Sequence, residues 1–279
     1  MTREESPPTV CPLCSVGCRL ERGPEDARAA GVAGPANPEG RLCRKGVGAF
    51  QPRAERLARP QVRRDGDLEP VDWETALEAV VERFERAREA GGPGALGFLG
   101  APRCTTEENY LLGKLARTLG TNDVDNRARL CHDGVTGELA ERVGWPATTN
   151  GLEELREADV VLVAGADPAE RQPVAFDSFV RPAVNGGATL VHLDPVGNRT
   201  TCLADVHLAP RPGTDAHLLD LLSAAVLEAG GADRAFLDRR TAGFEAFADG
   251  LRALDRERAR RVAGVGADAV SRVADLIAG

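Results

Sequence analysis

Cys11, Cys14, Cys18 and Cys43 are the residues whose types and spacing say most about chemistry in this chain. Two residues separate the first pair, three the second, and 24 intervene before the fourth. Thiolates at such intervals can wrap one small inorganic core, and a fourth arriving from a distance closes the cage. Four thiolates suit either structural zinc or a 4Fe–4S cluster. Zinc usually takes two similar Cys-x2-Cys knuckles, so the solitary Cys43 favours the iron–sulfur reading. Lys45 stands two residues past Cys43. A cation there can tune a cluster electrostatically; an ordinary solvated lysine is the competing reading.

A second constellation is Cys131-His132, preceded by Arg127 and Arg129. Nearby cations favour a thiolate, the form that attacks or binds metal. His132 titrates near neutrality and can move protons. Taken alone, the pair is better read as a buried cysteine beside an exposed histidine. Cys104 and Cys202 have no partners at ligand spacing and are expected to be small buried residues. His192, His207 and His217 are expected to be structural.

The elements that must position these residues fall into two textures. The first 60 residues are rich in Gly, Pro and Arg with poor apolar periodicity. So short a segment with so thin a core usually needs a metal to fold. Arg53 to Pro70 reads as a connector. From Val71 a helical pattern begins, with Asp72 as its N-cap and Trp73, Ala76, Leu77, Val80, Val81 and Phe84 at helical spacing. Ala95 to Leu99 reads as a strand and Thr106 to Leu119 as a helix. Val160 to Val163 is a strand, Arg171 to Val184 a helix despite Pro173 and Pro182, and Ala188 to Leu193 the next strand. Asp205 to Leu208 is another strand, and Gly213-Thr214-Asp215 opens a helix running to about Glu228. Strands alternating with helices predict an α/β fold with a doubly wound parallel sheet, Rossmann-like.

Such a sheet binds ligands beyond the carboxyl ends of its strands. Gly165 and Asp167 follow one strand, and Asp194-Pro195 follow another. Gly165 lets a ligand approach the backbone, and Asp194 is placed to take ribose hydroxyls. Gly213 and Asp215 lie at a helix start, where free amides hold phosphate. The Gly-x-Gly-x-x-Gly fingerprint is absent. Gly and Asp are also common wherever strands end.

Composition narrows the field further. The 279 residues carry 35 Lys+Arg against 43 Asp+Glu, a net charge of −8. An acidic balance argues against nucleic acid and anionic membranes as partners. No apolar run approaches a membrane span. The opening residues show no export signal, so a cytoplasmic location with reduced thiols is expected.

Together these motifs resemble the molybdenum/tungsten bis-pterin oxidoreductases, and within them the formate dehydrogenase α-subunit. Cys11-Pro12-Leu13-Cys14-Ser15-Val16-Gly17-Cys18 with Leu42-Cys43-Arg44-Lys45-Gly46 is similar to the family's 4Fe–4S segment. Asp72-Trp73 with Ala76-Leu77 is similar to the helix after it. The stretches Cys104 to Leu112 and Ala128 to His132 resemble formate dehydrogenase in particular. Gly165 to Pro173, Asp194-Pro195 and Pro212 to Asp215 resemble the guanine-dinucleotide pocket.

The resemblance implies a 4Fe–4S domain over residues 1–60 and a truncated pterin-dinucleotide domain over 61–279. Cys11, Cys14, Cys18 and Cys43 would hold the cluster and Cys131 would ligate molybdenum or tungsten. His132 would take the proton from formate, and Lys45 would lie between pterin and cluster. Electrons would leave through the cluster to a redox partner protein. Family catalytic subunits are more than twice as long, so a second chain is expected to complete the cofactor site. The sequence also departs from the family: Asp133-Gly134-Val135-Thr136 follows the Cys-His pair, Asp167 replaces an Asn, Gln172 a His, and Val196 an Arg. A non-catalytic iron–sulfur electron-transfer or cofactor-binding module, and a nitrate or formyl-group oxidoreductase, are the alternatives.

Overall fold

A computed structural model describes residues 8–22, 28–51 and 56–279. The export-signal reading of residues 1–7 and the start of the connector at Arg53 lie outside them. The described strands are β1 (Thr9–Val10), β2 (Arg19–Arg22), β3 (Ala29–Val32), β4 (Gln61–Arg64), β5 (Asp67–Pro70), β6 (Phe98–Gly100), β7 (Val124–Asn126), β8 (Val160–Ala164), β9 (Thr189–Leu193) and β10 (Val206–Leu208). The chain divides into two compact units: the described residues of Met1–Phe50 with Asn150–Gly279, and those of Gln51–Thr149.

In the first unit, β8, β9 and β10 form a parallel sheet in the order β10-β9-β8. The side-chain alternation of a strand explains how both faces are filled. Val191 and Leu193 pack with Val206, Leu208 and the helices Asp215–Glu228, Arg256–Ala263 and Ala267–Ala278. Leu190 and Val161 point the other way, onto Ala169, Phe176, Val180 and Ala183 of the β8–β9 crossover. The sheet is thus α/β and parallel, with helices on both faces. The N-terminal segment is an antiparallel meander, β1-β2-β3, followed by the short helix Arg44–Val47.

The crossover is not the single helix that its pattern predicts. Gln172 leaves helical geometry (φ −126°, ψ 53°) between Pro168–Arg171 and Pro173–Ala175, because a proline disfavours α geometry in the residue before it. A wide π-type turn, Phe176–Val180, then leads into Arg181–Asn185. Pro182 has no N–H to donate to the Ser178 carbonyl. Arg156 Nε takes over that acceptor at 2.8 Å.

In the second unit the Asp72 cap is present: its carboxylate accepts the Thr75 amide at 2.8 Å and starts the helix Trp73–Gly91. The strand expected at Ala95 starts at Phe98, because Pro93–Ala95 winds into a 3-10 turn. Thr105 and Glu108 form a capping box for Thr106–Thr118. β6 and β7 pair in parallel. Part of the expected connector is ordered as the hairpin β4-β5. The core of this unit is small: Leu96, Phe98 and Ala116 are buried, with Phe84, Ala87, Leu112, Leu119 and Val124 packed partly against them. Among the described residues, no helix is long and apolar enough to cross a membrane.

Candidate functional site

The four clustered cysteines share one interior. Cys11 and Cys18 are buried with Leu20 and Val174, and Cys43 packs against them. Cys43 also caps the helix Arg44–Val47, its Sγ accepting the Gly46 amide at 3.5 Å. Burial, together with the sulfurs of Cys14, Cys11 and Cys43, pushes the Cys18 thiol up to about 11. Mutual repulsion of this kind requires the sulfurs to face one space, and a cationic metal core would reverse it by displacing their protons. Among the described residues, no three His, Cys, Asp or Glu side chains are close enough to hold a single metal ion. The all-thiol donor set of the four cysteines fits an iron–sulfur cluster.

This segment is fastened to the α/β part of its unit by two polar ties. Lys45 Nζ donates to the carbonyls of Glu170 (3.3 Å) and Arg171 (3.2 Å), in the short helix Pro168–Arg171 that follows β8. Glu39 accepts from Ser178 Oγ and Arg156 Nη2, each at 2.8 Å. Lys45 is thus half-buried and spans from the cysteine cage to the carboxyl edge of the sheet, which the reading of it as a solvated lysine does not anticipate.

At that edge the parallel order of β8, β9 and β10 brings the loops carrying Gly165, Asp167, Asp194 and Pro195 side by side, with Gly213 and Asp215 following β10. Gly165 and Gly213 both adopt left-handed geometry, φ 61° and 79°. A Cβ at Gly165 would meet nothing within 4 Å, so its backbone faces open space. The two carboxylates hold their own loops. Asp194 accepts the Val196 amide (2.8 Å) and Asn198 Nδ2 (3.3 Å). Asp167 Oδ1 accepts the amide (3.0 Å) and hydroxyl (2.7 Å) of Thr200. Burial raises the Asp167 carboxyl, but the bonds from Thr200 outweigh it and hold the group below the usual carboxylate range. Sequence reasoning missed Thr200, which is fully buried and also accepts the Ala169 amide at 3.2 Å. The run Asn198-Arg199-Thr200-Thr201 was its signal, since such residues favour local turns.

His192 is structural. It is fully buried, its Nε2 lies 3.0 Å from the Ala166 carbonyl, and its Nδ1 lies 2.8 Å from Thr201 Oγ1. A carbonyl only accepts, so Nε2 carries the proton and Nδ1 accepts from Thr201. His207 stacks on it at 5.6 Å and bonds the Asp194 carbonyl.

Cys131 and His132 belong to the other unit. They lie on a π-type turn, Arg129–Asp133, that begins three residues past the carboxyl end of β7 and runs into the helix Gly134–Val143. Both are exposed, so the buried-cysteine reading of the pair fails. Asn126, at the end of β7, accepts the Ala128 amide at 2.9 Å and shapes the approach. Thr136 Oγ1 donates to the carbonyls of His132 and Asp133, both at 3.1 Å, closing the turn. Arg129 does not serve Cys131 as expected: it pairs with Asp125 and, at 3.5 Å, with Asp133. Cys104 and Cys202 are exposed rather than buried. Cys104 sits just before the N-cap Thr105, and Cys202 lies in the 3-10 turn Thr201–Leu203, both on surface turns.

The family model described as Molybdopterin oxidoreductase matches residues 56–249, and the one described as Molybdopterin oxidoreductase Fe4S4 domain matches residues 4–51. The chain is 34% identical to formate dehydrogenase H of Escherichia coli over 97% of its own length and 39% of the relative's. It is 31% identical to the F420-dependent formate dehydrogenase subunit alpha of Methanocaldococcus jannaschii, over 92% of this chain and 38% of that one. The assimilatory nitrate reductase catalytic subunit of Bacillus subtilis is 33% identical, over 87% and 35%. Acetylene hydratase from Pelobacter acetylenicus shares the fold, with a TM-score of 0.74 at 18% identity, over 98% of this chain and 38% of that one. The chain thus spans about two fifths or less of these relatives, and corresponds to their N-terminal part.

Proposed function

The chain belongs to the molybdopterin oxidoreductase family, whose two matched domains are those of a molybdenum- or tungsten-pterin and a 4Fe–4S cluster, and from that premise we propose that it is the cluster- and pterin-holding N-terminal part of a formate dehydrogenase-type enzyme. In this reading, formate is oxidised to carbon dioxide, with one proton and two electrons released. When bound, the metal–pterin supplies a two-electron acceptor and the cluster a one-electron relay. Cys11, Cys14, Cys18 and Cys43 hold the cluster through their sulfurs. Cys131 Sγ ligates the molybdenum or tungsten, a soft donor for such a metal. His132 takes up the released proton at a ring nitrogen, a task that suits imidazole near neutral pH. Gly165, Asp167, Asp194, Pro195, Gly213 and Asp215 hold the guanine dinucleotide at the carboxyl edge of the sheet. Lys45 lies on the path between cage and pterin, and a redox partner protein receives the electrons.

The observation that carries this reading is the Lys45 tie, which joins the cysteine segment to the short helix after β8. Formate-driven reduction of a viologen dye tests it, on the full protein purified from its host. The expected result is activity that falls to background in Cys131→Ala with iron content unchanged. Activity that survives Cys131→Ala overturns the reading. Nitrate reductases among the relatives favour a second one: nitrate-dependent oxidation of reduced dye, with no response to formate, would establish nitrate as the substrate.

A further inference from the structure

Two asparagines and a glycine join the carboxyl ends of β6 and β7. Asn109, in the first turn of the helix Thr106–Thr118, donates Nδ2 to the carbonyls of Ala101 (3.2 Å) and Thr105 (3.1 Å), the two ends of the loop after β6. Its Oδ1 accepts from Asn126 Nδ2 at 3.4 Å. Asn126 is the last residue of β7, and its Oδ1 accepts the Ala128 amide at 2.9 Å. Ala128 stands immediately before the turn that carries Cys131. The two side chains thus form a directed amide bridge from the loop after β6 to that turn. Only one orientation of each amide serves it. An inverted Asn109 would set its oxygen against two carbonyls, and an inverted Asn126 would set an NH2 against an N–H. Both asparagines are half-buried, where an unmatched amide is costly.

Gly100, the last residue of β6, makes room for the bridge. A Cβ there would stand 2.9 Å from Asn109 Oδ1 and 3.1 Å from Asn126 Nδ2, closer than carbon normally comes to such atoms. Gly100 is not among the glycines at positive φ, so its missing side chain answers to space rather than to backbone conformation. Its carbonyl accepts the Arg127 amide at 3.4 Å, beside the bridge. The other ties of the turn are local to it: Thr136 closes its far end, and Arg129 pairs with Asp125 and Asp133. The amide bridge and the Gly100 carbonyl link it to the neighbouring strand. We propose that Asn109 and Asn126, in the space that Gly100 leaves, are the positioning residues of Cys131, fixing the start of its turn and so the placing of its sulfur. The inference rests on the reading of Cys131 as the ligand of molybdenum or tungsten.

The test uses the full protein purified from its host, with Gly100→Ala as the principal variant. The added methyl displaces the ends of two side chains rather than backbone, so the fold is kept, which circular dichroism checks. Hydrogen exchange of the amides from Ala128 to Asp133 should quicken about tenfold, as loss of one hydrogen bond implies, while iron content holds. The kcat for formate should fall about 100-fold, as a small misplacement near the reacting atoms can cause, with KM little changed. The electron paramagnetic resonance line of the half-reduced metal should shift. Asn126→Ala should act in the same direction, and adding Gly100→Ala to it should change nothing further, because the methyl acts through the amide. Gly97→Ala, where a Cβ meets nothing within 4 Å, should match wild type in every readout. Unchanged exchange in both Gly100→Ala and Asn126→Ala overturns the proposal. So does faster exchange with kcat and the resonance line unmoved, the result of a merely structural bridge. A host protein without molybdenum or tungsten whose turn still loosens would sink the reading of Cys131 as a ligand and leave the bridge standing. A metal-loaded, formate-oxidising protein indifferent to Gly100→Ala would do the reverse.

Discussion

The β8–β9–β10 sheet and the β6–β7 sheet are both parallel and both carry a candidate site at the carboxyl ends of their strands, yet only the first is enclosed by the chain around it. Leu190 on one face and Val191 and Leu193 on the other are buried by helices from the same unit. The β6–β7 unit buries Leu96, Phe98 and Ala116 and leaves most of its apolar helix residues in water. Local sequence is equally well formed in both. The Asp72 cap and the Thr105–Glu108 capping box belong to the poorly enclosed unit. Good caps and periodicity therefore fix where helices begin, whereas enclosure depends on how much partner surface is available. The consequence for function is unequal too. The four clustered cysteines and the loops proposed to hold the dinucleotide rest on a closed core, whereas Cys131 and His132 rest on a turn beside an open one, next to Leu130 at 95% exposure.

Four substitutions sharpen or break this contrast. The largest effect is expected from Cys18→Ser, which removes one of the four proposed cluster ligands. Bound iron should be lost and the N-terminal meander should become protease-sensitive, because a thin segment of this kind depends on its metal; retention of iron would break the account of the cage. Next, Leu218→Ala in the closed unit should cost about 2–5 kcal/mol in urea unfolding, the usual range for a fully buried leucine. Thr200→Val should cost about 1–3 kcal/mol by leaving the Ala169 amide and Asp167 without their hydroxyl partner. Its cost should also depend on pH. Asp167 is held below its unfolded value, so its stabilising contribution is present above roughly pH 4 and is lost as pH falls through the lower folded value. The gap between wild type and variant should therefore narrow in acid; a constant gap would remove Asp167 from the explanation. The smallest effect is expected from Leu77→Ala in the free chain, within about 0.5 kcal/mol. A loss there as large as that of Leu218→Ala would mean that the Trp73 helix is already enclosed.

Much of this was legible in the residues. The cysteine spacing, the Asp72 N-cap, the strands at Val160, Thr189 and Val206 and the helix from Asp215 all follow from local chemistry. So does the placement of Gly165, Asp167 and Asp194 at strand ends. Other features needed the third dimension. The Asp65-Gly66 turn joins β4 to β5 with both residues at positive φ, 49° and 96°, a hairpin that its Asp-Gly signal allows but that a polar, exposed pair of strands hides from apolar alternation. The crossover after β8 breaks at Pro173 because backbone sterics outweigh its helical pattern. The use of the Asp167 and Asp194 carboxylates within their own loops depends on Thr200 and Asn198 arriving from a later turn. Arg129 is drawn away from Cys131 by Asp125, a pairing that the local sequence permits but does not single out.

The most direct test of the account is the metal content of the full protein, purified from its host without oxygen and measured by mass spectrometry. The account predicts about four irons per copy of this cysteine cluster, as one 4Fe–4S cluster requires, with near-stoichiometric molybdenum or tungsten. Zinc in place of iron, or iron with neither molybdenum nor tungsten, would contradict it.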